Sequence, residues 1–233
     1  MRRAINTAVR LFAESFAPPG PVVEVGSLYL PGYEKLCDLR GYFPGRDYLG
    51  CDIRRGLGVD RLEDACALSF ADESVGTVLL CELLEHLPQP QRAIEEARRV
   101  LRPDGLLAVS VPFALRLHGL PRDYWRFTAS GVSVLLSSFP ARTIFSVGPR
   151  LKPAFVFGVA AKAHSAEFSA ARARFEARVG ERFAQSRIRG YTSILKERGK
   201  DFFGGLLGRA ELGVAFLEDQ SSQGDGHGKL GQH

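Results

Sequence analysis

Apolar residues recur along the chain in two rhythms, and the alternation between them predicts the architecture. Near the N-terminus Ile5, Val9, Phe12 and Phe16 fall every three or four residues, the spacing of one helix face. Pro18, Pro19 and Gly20 end that helix. The run Val22-Val23-Glu24-Val25-Gly26 then takes the short, β-branched form of a buried parallel strand ending on glycine. A helical stretch over 33–40 leads to a second strand, Tyr48-Leu49-Gly50-Cys51-Asp52-Ile53, with an acid near its carboxyl end. Beyond a loop rich in glycine and aspartate, residues 75–81 form a third strand. Over 90–102 a helix places Ala93, Ile94, Ala97, Val100 and Leu101 on one face and Glu95, Glu96, Arg98 and Arg99 on the other. Arg102-Pro103-Asp104-Gly105 is read as its stop, and residues 106–111 as the next strand.

A helix over 128–138 follows, with Val132, Leu135 and Leu136 inward, and the runs 142–147 and 154–161 read as an antiparallel hairpin. Strands alternating with helices predict an α/β, Rossmann-like, doubly wound and mostly parallel sheet that the hairpin completes. Right-handed crossovers gather the carboxyl ends of the parallel strands on one edge, where ligands bind. From 165 onward the chain turns helical and basic, with Phe168, Ala171, Phe175, Val179 and Phe183 in one stripe. The expected organisation is a domain over 1–164 that includes an N-terminal helix within 1–19, a basic helical extension over 165–217, and a disordered tail over 218–233. The end of that tail is too rich in Gly, Gln and Ser to pack.

Bulk properties narrow the picture only slightly. The 233 residues suffice for one sizeable core. No run approaches the roughly 20 apolar residues of a membrane span, and no continuous apolar stretch follows the basic start. Cys37, Cys51, Cys66 and Cys81 form no CxxC pair and have no histidine beside them at metal-ligand spacing, so reduced cysteines, no metal and a cytoplasmic location are expected. Residues 163–217 hold ten basic against six acidic side chains, most of the net charge of +5. Such a surface suits nucleic acid, an anionic membrane or an acidic substrate. No aromatic and basic RNA-binding module is recognisable, so a solvated helix face is the preferred reading and nucleic acid is not the expected partner.

Four features carry the candidate chemistry. They are Val22-Val23-Glu24-Val25-Gly26-Ser27, then Asp52, then the stretch from Glu63-Asp64-Ala65-Cys66 to Ala71-Asp72-Glu73-Ser74-Val75, and Leu84-Glu85-His86-Leu87 followed by the helix and its Val100-Leu101-Arg102-Pro103-Asp104-Gly105 stop. In this order and spacing, over roughly residues 20–162, the set resembles the class I S-adenosylmethionine-dependent methyltransferases, in particular bacterial members acting on small molecules and glycans. The resemblance implies S-adenosyl-L-methionine as cofactor. Gly26 would let the backbone approach it, and a helix N-terminus after that loop would receive the methionine carboxylate. Glu24 would orient the loop and the methionine amino group. Asp52 would accept from the ribose hydroxyls, Asp64 from the adenine amino group, and the Ala65 amide would donate to a ring nitrogen. Cys81, ending the third strand, completes the cofactor set. Each has a plainer reading: Asp52 as a helix cap, Asp64 as a solvated loop acid, Glu85 and His86 as braces of the helix start. The family's loop is usually Gly-x-Gly-x-Gly, but here Leu28 and Leu30 stand at the second and third glycines. The loop is therefore expected to run differently, with the Ser27 hydroxyl compensating.

Residues 112–128, through His118, Pro121, Asp123-Tyr124-Trp125-Arg126-Phe127-Thr128, resemble an insert of bacterial methyltransferases linked with surface-polysaccharide synthesis. Lying beyond a strand's carboxyl end, the insert can wall a substrate pocket. His118 is the candidate general base, since imidazole titrates near neutrality. The plainer reading has Tyr124 and Trp125 anchoring the loop, Asp123 paired with Arg126, and His118 a loop residue. The expected activity is methyl transfer to a small molecule or glycan, preferably at oxygen. The alternatives are a methyltransferase-like binding module and a nucleic-acid methyltransferase that uses the basic helices. A nicotinamide oxidoreductase is disfavoured, because no G-x-G-x-x-G follows the first strand. The phenylalanine stripe needs an apolar partner, either this domain or a second copy in a homodimer.

Overall fold

The N-terminal periodicity folds as α1 (Arg2–Phe16), which buries Ile5, Val9 and Phe12. In this computed structural model residues 2–119, 121–149, 151–184 and 212–216 are described. The β-branched runs supply the middle of the sheet: β1 (Val22–Val25), β2 (Tyr48–Asp52), the two-residue β3 (Arg61–Leu62), β4 (Val75–Cys81) and β5 (Leu101–Pro112). Between them lie the one-turn α2 (Glu34–Cys37) and α3 (Pro90–Val100). Every residue of β1 and β4 is buried, as strands covered on both faces require. After α4 (Ala129–Leu135), whose first turn Thr128 caps by accepting from the Gly131 amide at 3.0 Å, come β6 (Ala141–Pro149) and β7 (Phe155–Ala161). The chain then forms α5 (Ala166–Ala184) and β8 (Leu212–Phe216).

The strands form one eight-stranded sheet in the order β3-β2-β1-β4-β5-β7-β6-β8. β1 to β5 pair in parallel, and β7, β6 and β8 join antiparallel. This is the expected mixed, doubly wound sheet. Its order reverses between β1 and β4, so the carboxyl ends of β1, β2 and β4 frame a crevice. One core, on the side of α3 and α4, gathers Val23, Val25, Ile94, Leu107, Val132 and Phe139. The other, on the side of α1 and α5, gathers Val9, Phe12, Leu79, Phe145, Phe157 and Phe175.

Three expectations change. The helix over 33–40 shortens to α2 plus a 3-10 turn at Arg40–Tyr42, because Asp38 takes extended backbone and its carboxylate caps the Arg40 amide at 3.0 Å. The helix expected over 90–102 stops at Val100. Leu101 already pairs with Val75, and Leu106 with Thr77, so residues 102–105 bulge from the sheet instead of ending the helix. The extension over 165–217 is not wholly helical: it supplies α5 and then a strand on the outer edge of β6. The tail over 218–233 lies outside the described residues.

Candidate active site

The crevice is built from strand ends. β1 leaves the sheet at Gly26, whose φ of +89° is strained for any side chain. A β-carbon on Gly26 would press on the Leu83 side chain at 3.2 Å. The Gly26 and Ser27 amides both donate to the Cys51 carbonyl, at 2.7 and 2.9 Å, so the turn is bonded to the end of β2. The Ser27 hydroxyl faces inward and donates to the Gly58 carbonyl at 2.9 Å. It holds loop to loop and does not offer itself to a ligand. Residues 28 and 29 lie over the glycines that follow β2: a β-carbon on Gly56 would meet Leu28 at 2.3 Å, and one on Gly58 would meet the Tyr29 ring at 2.3 Å. The expected helix N-terminus beside the turn is missing, because α2 begins eight residues beyond Gly26 and runs for one turn. Helix-dipole binding of a carboxylate there is thereby corrected.

Asp52 ends β2 in a buried position. Its Oδ1 accepts from the Arg54 amide at 2.9 Å, while Oδ2 takes no hydrogen bond from the described residues. Glu24 is buried inside β1, and its Oε2 accepts from the Tyr48 hydroxyl at 2.6 Å. Burial, then this carboxylate, push the Tyr48 phenol well above its usual range, so it stays a donor. Cys81 is buried at the end of β4. Asp64 and Ala65 lie in the loop after β3, where Asp64 Oδ1 accepts from the Cys66 amide at 2.8 Å. The buried Ala65 has an amide that meets no acceptor among the described residues. Gly26, Asp52, Ala65 and Cys81 thus share the carboxyl side of the sheet. An uncommitted carboxylate oxygen that can accept from ribose hydroxyls and an uncommitted amide that can donate to an adenine nitrogen are the groups this cofactor needs, so these residues fit S-adenosylmethionine.

The loop carrying Asp64 is held from below. Buried Glu63 accepts from Arg61 at 2.6 Å and from the Ser69 amide and hydroxyl at 2.8 and 2.6 Å. Arg99 of α3 donates to the Leu68 and Phe70 carbonyls at 2.7 and 3.0 Å and to the Asp72 and Glu96 carboxylates at 2.6 and 2.8 Å. Arg99 was read from the sequence only as part of a polar helix face; its reach back across 31 residues is invisible to helical periodicity.

A second cluster lies beside the first, where β4 and β5 end. The loop after β4 is stitched to the insert after β5: the Tyr124 amide donates to the Glu85 carbonyl, and Trp125 Nε1 to the Leu87 carbonyl, both at 2.8 Å. Arg126 grips Asp123 with two hydrogen bonds, at 2.6 and 2.8 Å, and holds its carboxyl well below the usual carboxylate range. Asp123 in turn accepts from the His118 amide at 2.8 Å, and its Oδ2 lies 3.4 Å from His118 Nδ1. Trp125 and the Asp123–Arg126 pair therefore anchor the insert, and Asp123 also holds the backbone of His118. Burial keeps His118 below the ordinary imidazole pKa. Glu85 is fully buried, and neither carboxylate oxygen has a hydrogen-bond partner. Burial, then the Glu82 charge, push its pKa up to about 9. His86 and His118 flank it, their rings 4.8 Å apart. In the sequence Glu85 and His86 belong to the family-like stretch, with bracing of the helix start as the plainer reading; nothing in it signals that two adjacent strands bring His118 to them.

Residues 48–109 match a family of known proteins described as Methyltransferase domain. No curated protein sequence matches the chain. Among solved structures, the 1,6-didemethyltoxoflavin-N1-methyltransferase of Burkholderia thailandensis, crystallised with its substrate and S-adenosylhomocysteine, is 18% identical with a TM-score of 0.53, over 69% of this chain and 79% of that one. A SAM-dependent methyltransferase of Thermotoga maritima is 17% identical with a TM-score of 0.52, over 69% of this chain and 91% of that one. Another, from Archaeoglobus fulgidus, is 14% identical with the same TM-score, over 69% and 94%. The chain has the fold of the S-adenosylmethionine-dependent methyltransferases and carries the methyltransferase-domain sequence over residues 48–109.

Proposed function

We propose that the chain is an S-adenosylmethionine-dependent methyltransferase whose acceptor is a hydroxyl of a small molecule or glycan. The observation that carries this is the convergence of the Gly26 turn, the uncommitted Asp52 Oδ2 and the uncommitted Ala65 amide on the carboxyl side of a sheet whose segment 48–109 matches methyltransferases. When bound, the cofactor supplies a methyl group made electrophilic by its sulfonium. The protein's part is alignment. Asp52 holds the ribose hydroxyls, Asp64 and the Ala65 amide read the adenine edge, and Glu24, fixed by Tyr48, stiffens the turn of β1. Cys81 closes the floor at the end of β4. The acceptor enters between the 82–87 loop and the 113–128 insert, where His118, oriented by Asp123, takes its proton.

Calorimetry tests the cofactor. S-adenosylhomocysteine should bind with a Kd of order micromolar, and Asp52→Ala should weaken it at least tenfold. Binding of NAD in its place, or equal affinity in both proteins, would overturn the assignment. Acceptor chemistry is tested by screening sugars, phenols and amines for methyl transfer. With the hydroxyl acceptor found, His118→Ala should lower kcat by roughly 10²–10⁴-fold and leave S-adenosylhomocysteine affinity unchanged. Turnover of amines alone would refute the oxygen assignment.

A further inference from the structure

We propose that Glu85, His86 and His118 form a binding site for one divalent transition-metal ion of the zinc type. One ligand atom from each of the three residues lies within 4.8 Å of the others. Glu85 Oε1 stands 3.8 Å from His86 Nε2 and 3.8 Å from His118 Nε2. Zinc with two imidazoles and one carboxylate has bonds of about 2.0–2.2 Å, which spaces its ligand atoms by roughly 3–3.5 Å. Closing on an ion therefore needs the Glu85–imidazole pairs to contract by less than about an ångström and the widest pair, within 4.8 Å, by up to roughly 1.8 Å, a movement open to two side chains that are 27% and 33% exposed.

Two independent features show that the atoms are prepared for a ligand. The first is Glu85 itself, fully buried with both oxygens unpartnered, a state that a cation in the cluster would relieve. The second is the state of the imidazoles. His86 Nδ1 lies 2.5 Å from the Arg122 carbonyl oxygen, and His118 Nδ1 lies 3.3 Å from the Arg116 carbonyl oxygen and 3.4 Å from Asp123 Oδ2. A carbonyl only accepts, so each Nδ1 carries the proton and each Nε2 keeps its lone pair for the ion. Backbone carbonyl or carboxylate behind a ligating imidazole is the outer support that metal histidines use. Asp123 is held for this by Arg126. Three protein ligands leave a position for water or substrate, reached from the exposed side of the two imidazoles.

An ion and a proton compete for the same His118 lone pair. In the metal-bound protein an acceptor hydroxyl at the open position would be acidified by the ion and would release its proton to solvent at the exposed side of the site instead of giving it to His118. That consequence rests on the methyl-transfer reading, whereas occupancy of the site does not. The test is therefore binding, on the full chain stripped with a chelator. Zinc(II), titrated in competition with a chromophoric chelator, should bind at one ion per chain, and cobalt(II) should give the d–d absorption of a four- or five-coordinate site. His86→Ala, His118→Ala and Glu85→Gln should each weaken zinc at least 100-fold, and Asp123→Asn by 10- to 100-fold. Circular dichroism and S-adenosylhomocysteine affinity report whether each variant is folded, and His86→Gln or His118→Gln replaces the corresponding alanine variant where it is not. Absence of stoichiometric zinc would overturn the proposal. So would undiminished zinc in the His86→Ala/His118→Ala protein, which would place the ion elsewhere on the chain. Either failure leaves cofactor binding, and so the methyltransferase reading, intact.

Discussion

Gly58 has a φ of +86°, and a β-carbon there would stand 2.3 Å from the Tyr29 ring and 2.5 Å from the Ser27 carbonyl oxygen. The missing glycines of the first loop have in effect moved to the facing loop, where Gly56 and Gly58 make room for Leu28 and Tyr29. The loss was plain in the sequence. The compensation was not, because it depends on contact between two loops some thirty residues apart that no periodicity links. Gly58→Ala should cost about 1–2 kcal/mol from left-handed backbone alone, with a further cost from the clash. It should also weaken S-adenosylhomocysteine, because residues 27–29 must lift. Gly41→Ala, with ordinary backbone and open space, is the control. Urea denaturation and calorimetry measure both effects, and a Gly58→Ala protein as stable and as tight-binding as Gly41→Ala would show that this packing does not shape the site. Glu85 was hidden for a related reason. Its identity and its histidine neighbour are visible in the sequence, but its burial without a partner is a property of packing.

At the scale of elements, strand cores and helix starts were legible and several ends were not. Residues 75–81 match β4 to the residue, since a β-branched and aliphatic run of strand length, too short for a buried helix, reads as a strand. Pro90 opens α3 as expected, but the proline and glycine of 102–105, read as a helix stop, serve a bulge, because pairing with β4 begins already at Leu101. The least legible link is the hold of α3 on the 63–72 loop. Arg99→Met keeps the aliphatic stem but removes every donor, leaving the Leu68 and Phe70 carbonyls without it. It should cost about 1–3 kcal/mol and weaken the cofactor through the Asp64–Ala65 turn. The same network predicts a pH effect. Its hydrogen bond to Arg99 first, and then one from the Leu68 amide, hold Glu96 below the usual carboxylate pKa despite partial burial. A carboxyl with a lower pKa folded than unfolded stabilises the fold above its unfolded value, near 4.5. That stabilisation is lost as pH falls through the folded value. Thermal unfolding in acid should therefore depend less steeply on pH in Glu96→Gln than in the wild type, and equal slopes would remove Glu96 from the acid response.

Across the whole molecule, the question left by the sequence was what covers the phenylalanine stripe of the basic stretch. As far as Phe183 the cover is the chain itself. Phe175 is fully buried, with ring centroids 5.5 Å from Phe16, 5.7 Å from Phe145 and 6.3 Å from Phe157. Phe168 and Phe183 are buried on the same face. Three basic side chains of α5 are also engaged, Arg172 with Glu176, Arg174 with the Ser15 carbonyl and Arg178 with Glu14. The helix read as an appendage thus completes the second layer of the sheet, and a homodimer is not needed to bury its stripe. Phe175→Ala should cost about 3–5 kcal/mol, the loss of a core aromatic on leaving a cavity. The thermal midpoint of the wild type should not depend on protein concentration, because no subunit contact supplies this cover. Removal of residues 166–233 should expose Phe145, Phe155 and Phe157 and leave β6 as an unpaired edge, so the remainder should lose cooperative unfolding or aggregate. A truncated protein that melts at the wild-type temperature as a monomer would show that the sheet is closed without α5. A wild-type midpoint that climbs with concentration would return the stripe, in part, to a second copy.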